Sequence, residues 1–153
     1  MVETRLSSAE QDDPFFFAVY ASSRQQEMAS WGWCDKDQLQ FLRMQFQCQQ
    51  QSYKQQYPHL ENRIILSGNI LAGRILIEKT TNEIILVDIT LLPEFQNQGI
   101  GTHLLKKIQK KADAGIPVRL TVMDGNPARR LYERLGFKVT GCSELHTFME
   151  WKR

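Results

Sequence analysis

The sequence predicts a single mixed α/β domain, and three observations carry the prediction. The chain has 153 residues, a length that suits one domain with one sizeable core. Apolar residues recur at helical spacing up to about residue 57, whereas short apolar runs separated by turn residues begin near residue 63. Beyond residue 100, helical and strand-like segments alternate, and no repeat or linker interrupts them. We therefore expect a mixed sheet flanked by helices.

The first elements are a strand and two helices. Residues 2–6 predict a strand, after which Asp12 or Asp13 is expected to cap a helix with Pro14 in its first turn. The apolar face of this helix comprises Phe16, Val19 and Tyr20.

A second helix is predicted to begin at a capping box formed by Asp35 and Gln38 and to stop before Pro58. Its apolar stripe comprises Leu39, Leu42, Phe46 and Tyr53. Glutamine is abundant over residues 45–56, and the retained stripe favours an exposed polar face on an ordered helix.

Three consecutive strands are predicted next, over residues 63–66, 70–77 and 83–91, and they most simply form an antiparallel meander. The remaining predictions are a helix over 102–114, a strand over 118–123, a helix with Pro127 in its first turn that ends at Gly136, and strands over 137–140 and 145–151.

Hydropathy, cysteine spacing and net charge argue against several classes of protein. No apolar run is long enough to span a bilayer, and the polar segment MVETRLSSAEQDD lacks the pattern of a secretory signal, so we expect a cytoplasmic protein. Cys34, Cys48 and Cys142 are widely spaced, without CxxC or a histidine at a zinc-ligand interval; we expect free thiols and no metal site. The net charge of +2 is too small to predict a nucleic-acid-binding surface.

The segment FQNQGIG, residues 95–101, lies between a predicted strand and a predicted helix. Glycines at such a junction let an anion approach the unpaired amides of the helix N-terminus, and the side chains of Gln96, Gln98 and Thr102 are candidates for further hydrogen bonds. A dinucleotide fingerprint would need a third glycine or alanine near His103, and a Walker loop would need GK[ST]; neither is present.

Two motifs together resemble the GNAT superfamily of N-acetyltransferases. Gln96-Asn97-Gln98-Gly99-Ile100-Gly101 matches the acetyl-CoA pyrophosphate loop Q/R-x-x-G-x-G/A, and the segment from Asn126 to Phe137, NPARRLYERLGF, matches the later asparagine-to-LYExLGF segment. The resemblance covers residues 62–153, which would form the acetyl-CoA-binding core of one N-acetyltransferase domain spanning 1–153. Residues 1–62 would then supply the first strand and the acceptor-side helices.

The resemblance implies a mostly antiparallel mixed sheet of six or seven strands with about four helices, whose middle strands splay into a CoA cleft, often at a bulge. It also implies that acetyl-CoA is the acetyl donor and that no metal is needed. Tyr132 would be the general acid for the leaving thiolate. The implied cofactor-binding residues are Ile89, Thr90, Leu91, Gln96, Asn97, Gln98, Gly99, Ile100, Gly101, Thr102, Asn126 and Tyr132.

The general base is less well defined, because Thr121 stands about where some relatives carry a glutamate. Asp88 is the first candidate, since an acid within ILVDITLL must be hydrogen bonded, paired or at a cleft; a structural hydrogen bond is the alternative. Glu83 is the second candidate, with a solvated strand end as its alternative. Glu27 and Trp31 are candidates for the acceptor pocket, although aromatic residues there are more often part of a core.

We therefore expect transfer of acetyl from acetyl-CoA to a primary amine by direct attack in a ternary complex. The alternative is a non-catalytic acyl-CoA-binding or regulatory module; a nucleic-acid-binding role ranks third. A homodimer is an expectation from the relatives alone. The acceptor is open, and the acidic bias of the N-terminal part favours a cationic one.

Overall fold

A computed structural model describes residues 1–7 and 9–153. Seven strands and four α-helices are present in this part of the chain, together with 3₁₀ turns at Ala29–Trp31 and Pro93–Phe95. In chain order they are β1 Val2–Leu6, α1 Ala9–Met28, α2 Asp35–Gln56, β2 Leu60–Ser67, β3 Ile70–Lys79, β4 Ile84–Leu91, α3 Ile100–Lys111, β5 Val118–Met123, α4 Ala128–Arg134, β6 Lys138–Cys142 and β7 His146–Trp151. No helix among the described residues has both the length and the apolar character that crossing a membrane requires.

The strands form one sheet in the order β1-β2-β3-β4-β5-β7-β6. Every neighbouring pair is antiparallel except β4 and β5, which are parallel. This arrangement confirms the predicted mixed, mostly antiparallel sheet with about four helices.

The two parallel strands separate soon after they meet. β4 pairs with β5 only from Ile84 to Leu86, opposite Val118 to Leu120, although both strands continue further. Beyond Leu86, β4 is paired with β3 alone. The expected splay in the middle of the sheet is thus confirmed, and it leaves one edge of β4 open.

A β-bulge lies where the splay begins. Ile77 pairs with Leu86 and Leu76 pairs with Asp88, so Val87 is an extra residue on β4. Without the bulge, Leu86 and Asp88 would share a face, because side chains alternate along a strand. The extra residue reverses the alternation, so Asp88 faces the side opposite Leu86.

The sheet separates two apolar layers. The larger one packs α3 and α4 against residues such as Ile75, Leu86 and Val118. The smaller one packs α1 and α2 against the other face and includes Phe16 and Phe46. Asp88 faces the second layer.

The predicted start of the first helix is wrong. α1 begins at Ala9, so neither Asp12 nor Asp13 is its N-cap, and Pro14 lies inside the helix. Asp12 instead accepts a hydrogen bond from Arg5 of β1 at 3.4 Å, a contact that ties the additional first turn to the sheet.

The predicted capping box of the second helix is also wrong. Cys34 occupies the N-cap position without a side-chain hydrogen bond, and the Gln38 side-chain amide donates to the Trp33 carbonyl at 2.9 Å. The helix therefore starts one residue before the box would place it. Leu42 and Phe46 are buried as predicted, but Leu39 is 46% exposed because it lies beside the buried face.

Two boundaries nearer the C-terminus differ from prediction. α3 begins at Ile100 because Gly99, at φ +81°, turns the chain directly into the helix, and it ends at Lys111 because Ala112 is extended. Pro127 is the N-cap of α4 and not part of its first turn.

Candidate active site

The segment between β4 and α3 presents a row of backbone amides. Asn97 and Gly99 have φ of +61° and +81°, which bend the loop so that α3 starts immediately after it. The amides from Asn97 to Thr102 donate to no backbone carbonyl of the described residues. These free N–H groups and the positive end of the helix dipole make the loop suitable for an anion such as a pyrophosphate.

The glutamine side chains of this loop brace its backbone. Gln96 Nε2 donates to the Leu91 carbonyl at 3.1 Å, and Gln98 Nε2 donates to the Glu94 carbonyl at 2.8 Å. Each amide nitrogen keeps a second proton, so phosphate binding by these side chains stays a prediction.

The open edge of β4 leads directly into this loop. Ile89, Thr90 and Leu91 pair with Ile75, Arg74 and Gly73 on β3, and their other edge faces the gap left by β5. An extended molecule with amide groups can bind such an edge as an additional strand does.

Gly73 is required for the close contact of β3 with this segment. A Cβ at residue 73 would lie 2.2 Å from the Thr90 carbonyl oxygen, well inside van der Waals contact. The glycine therefore allows the two strands to approach at the end of the open edge, directly before the loop.

Tyr132 lies on α4, belongs to the larger apolar layer and is 7% exposed. Its ring packs edge-on against Phe137 at 5.9 Å, and its hydroxyl makes no hydrogen bond with the described residues. Burial, followed by the negative charge of Asp88, raises the pKa of Tyr132 to about 12. The hydroxyl is therefore protonated at neutral pH and available as a donor.

Asn126 lies directly before Pro127, the N-cap residue of the helix that carries Tyr132. Its Oδ1 accepts a hydrogen bond from the Ala128 amide at 2.9 Å, and its carbonyl accepts one from Arg129 at 3.2 Å. Its predicted contact with the pantetheine arm stays a prediction, and the structure adds a positioning role through α4.

Asp88 lines a cavity of about 90 Å³ between the sheet and the α1–α2 layer. Thr90 Oγ1 donates a hydrogen bond to its Oδ2 at 3.1 Å. Burial raises the pKa of Asp88, and the Thr90 hydrogen bond and the Arg74 charge oppose this rise only in part. The other residues lining the cavity are Phe16, Val19, Tyr20, Ser23, Arg24, Gln49, Arg74 and Thr90.

Sequence reasoning missed two residues near Asp88. Arg74 is 4% exposed, although its strand reads as an apolar run in which one arginine carries no motif. Tyr53 was assigned only to the apolar stripe of the second helix, but burial and the Asp88 charge raise its pKa to about 12. No local pattern identifies either residue, because both approach Asp88 through long-range packing.

The structure does not bring Glu83 to this group. Glu83 stands five residues before Asp88, at the start of β4, where it forms an ion pair with Arg119. At about 3.3 Å per residue, that places it about 16 Å along the strand from Asp88.

Glu27 and Trp31 lie at the end of α1 and just beyond it. Glu27 is exposed, and its carboxylate is 3.9 Å from Arg24, which lines the cavity. Trp31 is 41% exposed and packs edge-on against Trp33 and Phe41. Neither residue lines the cavity, and their predicted role toward the acceptor stays a prediction.

Among the described residues, no group of three or more His, Cys, Asp or Glu side chains is arranged to hold a metal ion. Cys34, Cys48 and Cys142 are free thiols, as the sequence predicted, and all three are exposed.

A loop of free backbone amides and an open strand edge lie directly before α3, and a buried tyrosine lies on α4; this combination suits an acyltransferase with a long, phosphorylated thioester donor. The family model described as "Acetyltransferase (GNAT) domain" matches residues 34–147. The chain therefore belongs to the GNAT acetyltransferase family, and its class is the acetyl-CoA-dependent N-acetyltransferases.

Solved structures agree with this assignment. The PaiA N-acetyltransferase of Thermoplasma acidophilum, in complex with coenzyme A, is 25% identical, with a TM-score of 0.72 over 100% of this chain and 99% of that chain. An acetyltransferase from Thermus thermophilus is 15% identical, with a TM-score of 0.69 over 100% and 97%. The Campylobacter jejuni N-acetyltransferase PseH, in complex with acetyl coenzyme A, is 16% identical, with a TM-score of 0.60 over 100% and 99%. A search of curated proteins found no match.

Proposed function

We propose that this protein transfers an acetyl group from acetyl-CoA to a primary amine, by direct attack of the amine in a ternary complex. The observation that carries the proposal is the pairing of β4 with β5 over only Ile84 to Leu86, directly before an amide-lined loop. The pyrophosphate would bind the amides from Gln98 to Thr102, and the pantetheine arm would run along residues 89–91 of β4.

The acceptor amine must lose a proton, because an alkylammonium ion has no lone pair for attack. Asp88 is the proposed base. Its raised pKa brings it closer to neutral pH than an ordinary carboxylate, which improves it as a proton acceptor, directly or through one water molecule. Its position on the α1–α2 side of β4 supports this role, since the cavity there provides space for an acceptor.

Tyr132 is proposed to act on the leaving group. As the amine nitrogen bonds to the acetyl carbon and the carbon–sulfur bond breaks, negative charge develops on the sulfur. A thiol has a pKa of about 8.5, well below the value of about 12 for Tyr132, so complete transfer of the tyrosine proton is unfavourable. A hydrogen bond from the hydroxyl to the departing thiolate therefore carries the effect.

Calorimetry with CoA and acetyl-CoA, followed by an amine screen read by mass spectrometry, tests the proposal. We expect both thioester and free thiol forms to bind with micromolar affinity or better, and at least one amine to gain an acetyl group only when enzyme and acetyl-CoA are present. Absence of CoA binding by folded protein would refute the assignment of the donor site.

A further inference from the structure

Arg74 carries a buried positive charge beneath α1 and α2. The side chain is 4% exposed, and its guanidinium lies 4.6 Å from the ring centre of Phe16 and 5.7 Å from that of Phe46. Arginine keeps its charge in proteins, and a buried charge is costly unless a counter-charge lies beside it.

The hydrogen-bond partners of Arg74 are neutral. Nε donates to Asn62 Oδ1 at 3.0 Å, and Nη2 donates to Gln50 Oε1. No carboxylate of the described residues lies within 4 Å of the guanidinium. Nη1 donates to none of the described residues, and Arg74 lines the cavity. The cavity therefore contains an arginine whose guanidinium N–H groups are only partly used and whose charge has no carboxylate in direct contact.

Asp88 supplies the opposite charge on a neighbouring wall of the cavity. Thr90 lies directly opposite Arg74 in the strand pairing, and Asp88 is two residues from Thr90 on the same face. Diagonal positions of this kind place the Cβ atoms about 7 Å apart. A long arginine side chain can cross that distance, yet the described side chains form no Arg74–Asp88 ion pair within 4 Å, so both groups are available to one small molecule between them.

We propose that the acceptor is an amino acid or a similarly compact amino carboxylate. Its carboxylate would pair with Arg74, and its amine would lie toward Asp88; this proposal rests on the proposed function. A planar carboxylate matches the guanidinium fork, and Arg24 adds a second cation to the cavity lining. A cavity of about 90 Å³ suits a compact acceptor. An acceptor that carries both a carboxylate and an amine differs from the cationic acceptor that the acidic composition of the N-terminal part favoured.

In this reaction the ammonium group first loses one proton to Asp88, and the free amine then bonds to the acetyl carbon. The electron pair of the carbon–sulfur bond leaves with CoA, and the second proton that the nitrogen releases as the amide forms ends on the CoA thiolate, giving free CoA. The product is an N-acetyl amino carboxylate, which keeps the charge held by Arg74 and loses the one attracted by Asp88. Weaker attraction of the product to the cavity would favour its release.

Matched acceptors test the charge requirement. Each standard amino acid is compared with its amino acid amide, which keeps the amine and side chain and replaces the carboxylate by a neutral group. The amide is the more reactive amine in solution, because a neighbouring carboxylate raises the pKa of the amino group. We expect at least one amino acid to exceed its amide by about 10-fold or more in kcat/KM. Product is read by mass spectrometry, since thiol reagents would also react with the exposed Cys34, Cys48 and Cys142.

Two variants assign the preference to Arg74. Arg74→Gln is expected to lower kcat/KM for the preferred amino acid about 10- to 100-fold, and its amide by less than about threefold. Gln50→Glu is a nearly isosteric change that places a carboxylate against the Arg74 guanidinium. The fold should be preserved, and the new carboxylate should compete with the carboxylate of the acceptor for Arg74. We expect a raised KM for the amino acid only. Gln51→Glu, the same substitution at the exposed neighbouring position, is the control.

The outcomes separate the two proposals. Amino acids and amides used equally well, with no selective effect of Arg74→Gln or Gln50→Glu, would overturn the amino carboxylate inference alone. If neither set is acetylated but another amine of the screen is, the amino carboxylate inference is overturned alone. If protein that binds CoA acetylates no amine of the screen, the proposed amine acetylation is overturned and this inference with it.

Discussion

At the scale of single residues, the proposed role of the Tyr132 hydroxyl can be tested without disturbing the packing of its ring. The ring packs on Phe137, whereas the hydroxyl has no partner among the described residues. Tyr132→Phe should therefore preserve the fold and CoA affinity and lower kcat by about 100-fold, since it removes a donor needed only as the thiolate forms. Calorimetry and steady-state kinetics measure the two effects, and an unchanged kcat would exclude Tyr132 from the reaction.

Asp88 is predicted to control the acidic limb of the pH profile. As the base it must be ionised, so kcat/KM should rise with pH through the Asp88 pKa, which burial places above the ordinary value of a carboxylate. Asp88→Asn should remove this limb and lower kcat/KM by about 100-fold or more. Persistence of the same limb in the variant would assign it to another group.

The same substitution should increase stability at neutral pH. The pKa of Asp88 is higher in the folded state than in the unfolded one, so the folded state holds the proton more tightly. Stability linked to this group is full below the unfolded pKa of about 3.9 and is lost as pH rises through the folded pKa. Thermal unfolding should therefore show Asp88→Asn to be more stable than the parent protein at pH 7, with the difference shrinking below about pH 4. A variant that is less stable at pH 7 would contradict the direction of the shift.

At the scale of elements, the contact of β3 with β4 depends on the absence of a side chain at Gly73. A Cβ there would meet the Thr90 carbonyl oxygen at 2.2 Å, so Gly73→Ala must push the strands apart. We expect a loss of about 3 kcal/mol in the free energy of unfolding, together with weaker CoA binding. Gly141→Ala is the control, because its Cβ would meet Phe148 at an ordinary 3.5 Å. Equal effects in denaturant titrations of both variants would show that the close approach is unimportant.

The backbone of the two motifs proposed to bind the donor could be predicted from the sequence because its geometry is local. Gly99 must adopt a positive φ to start α3, and Asn126 caps the turn before α4, so each motif specifies its own backbone. Because each motif specifies its own backbone, the order of the 96–101 loop, the strand β5 and the 126–137 segment was enough to predict the splayed sheet correctly.

The acceptor side was not readable, because it depends on distant parts of the chain. A bulge at Val87 decides which face Asp88 occupies, and alternation alone would have assigned the wrong one. Arg74 gains its role from Gln50 and Asn62, which lie 24 and 12 residues away in sequence. Capping signals also failed at Asp12 and Asp35, since helix starts respond to tertiary contacts that short patterns do not contain.

At the scale of the whole molecule, the two faces of the sheet should differ in local stability. The layer beneath α3 and α4 contains most of the buried apolar residues, whereas α1 and α2 pack through a smaller cluster. Segments with fewer buried contacts open more readily. The proposed donor loop thus leads into the helix layer with more buried contacts, and the proposed acceptor cavity lies beneath the layer that is expected to open more easily.

Phe46→Ala should loosen the acceptor side and leave the donor side intact. Phe46 is 7% exposed and packs edge-on against Phe17 and Tyr20 of α1, so its truncation removes two aromatic contacts between the two helices. Hydrogen exchange followed by mass spectrometry should show faster exchange in α1 and α2, with CoA affinity within about threefold of the parent, because a truncated buried aromatic acts mainly on its own layer. Met44→Ala is the control, since Met44 is 54% exposed on the same helix. Faster exchange in α3 than in α2, or loss of CoA binding with α3 still protected, would contradict the separation of the two layers.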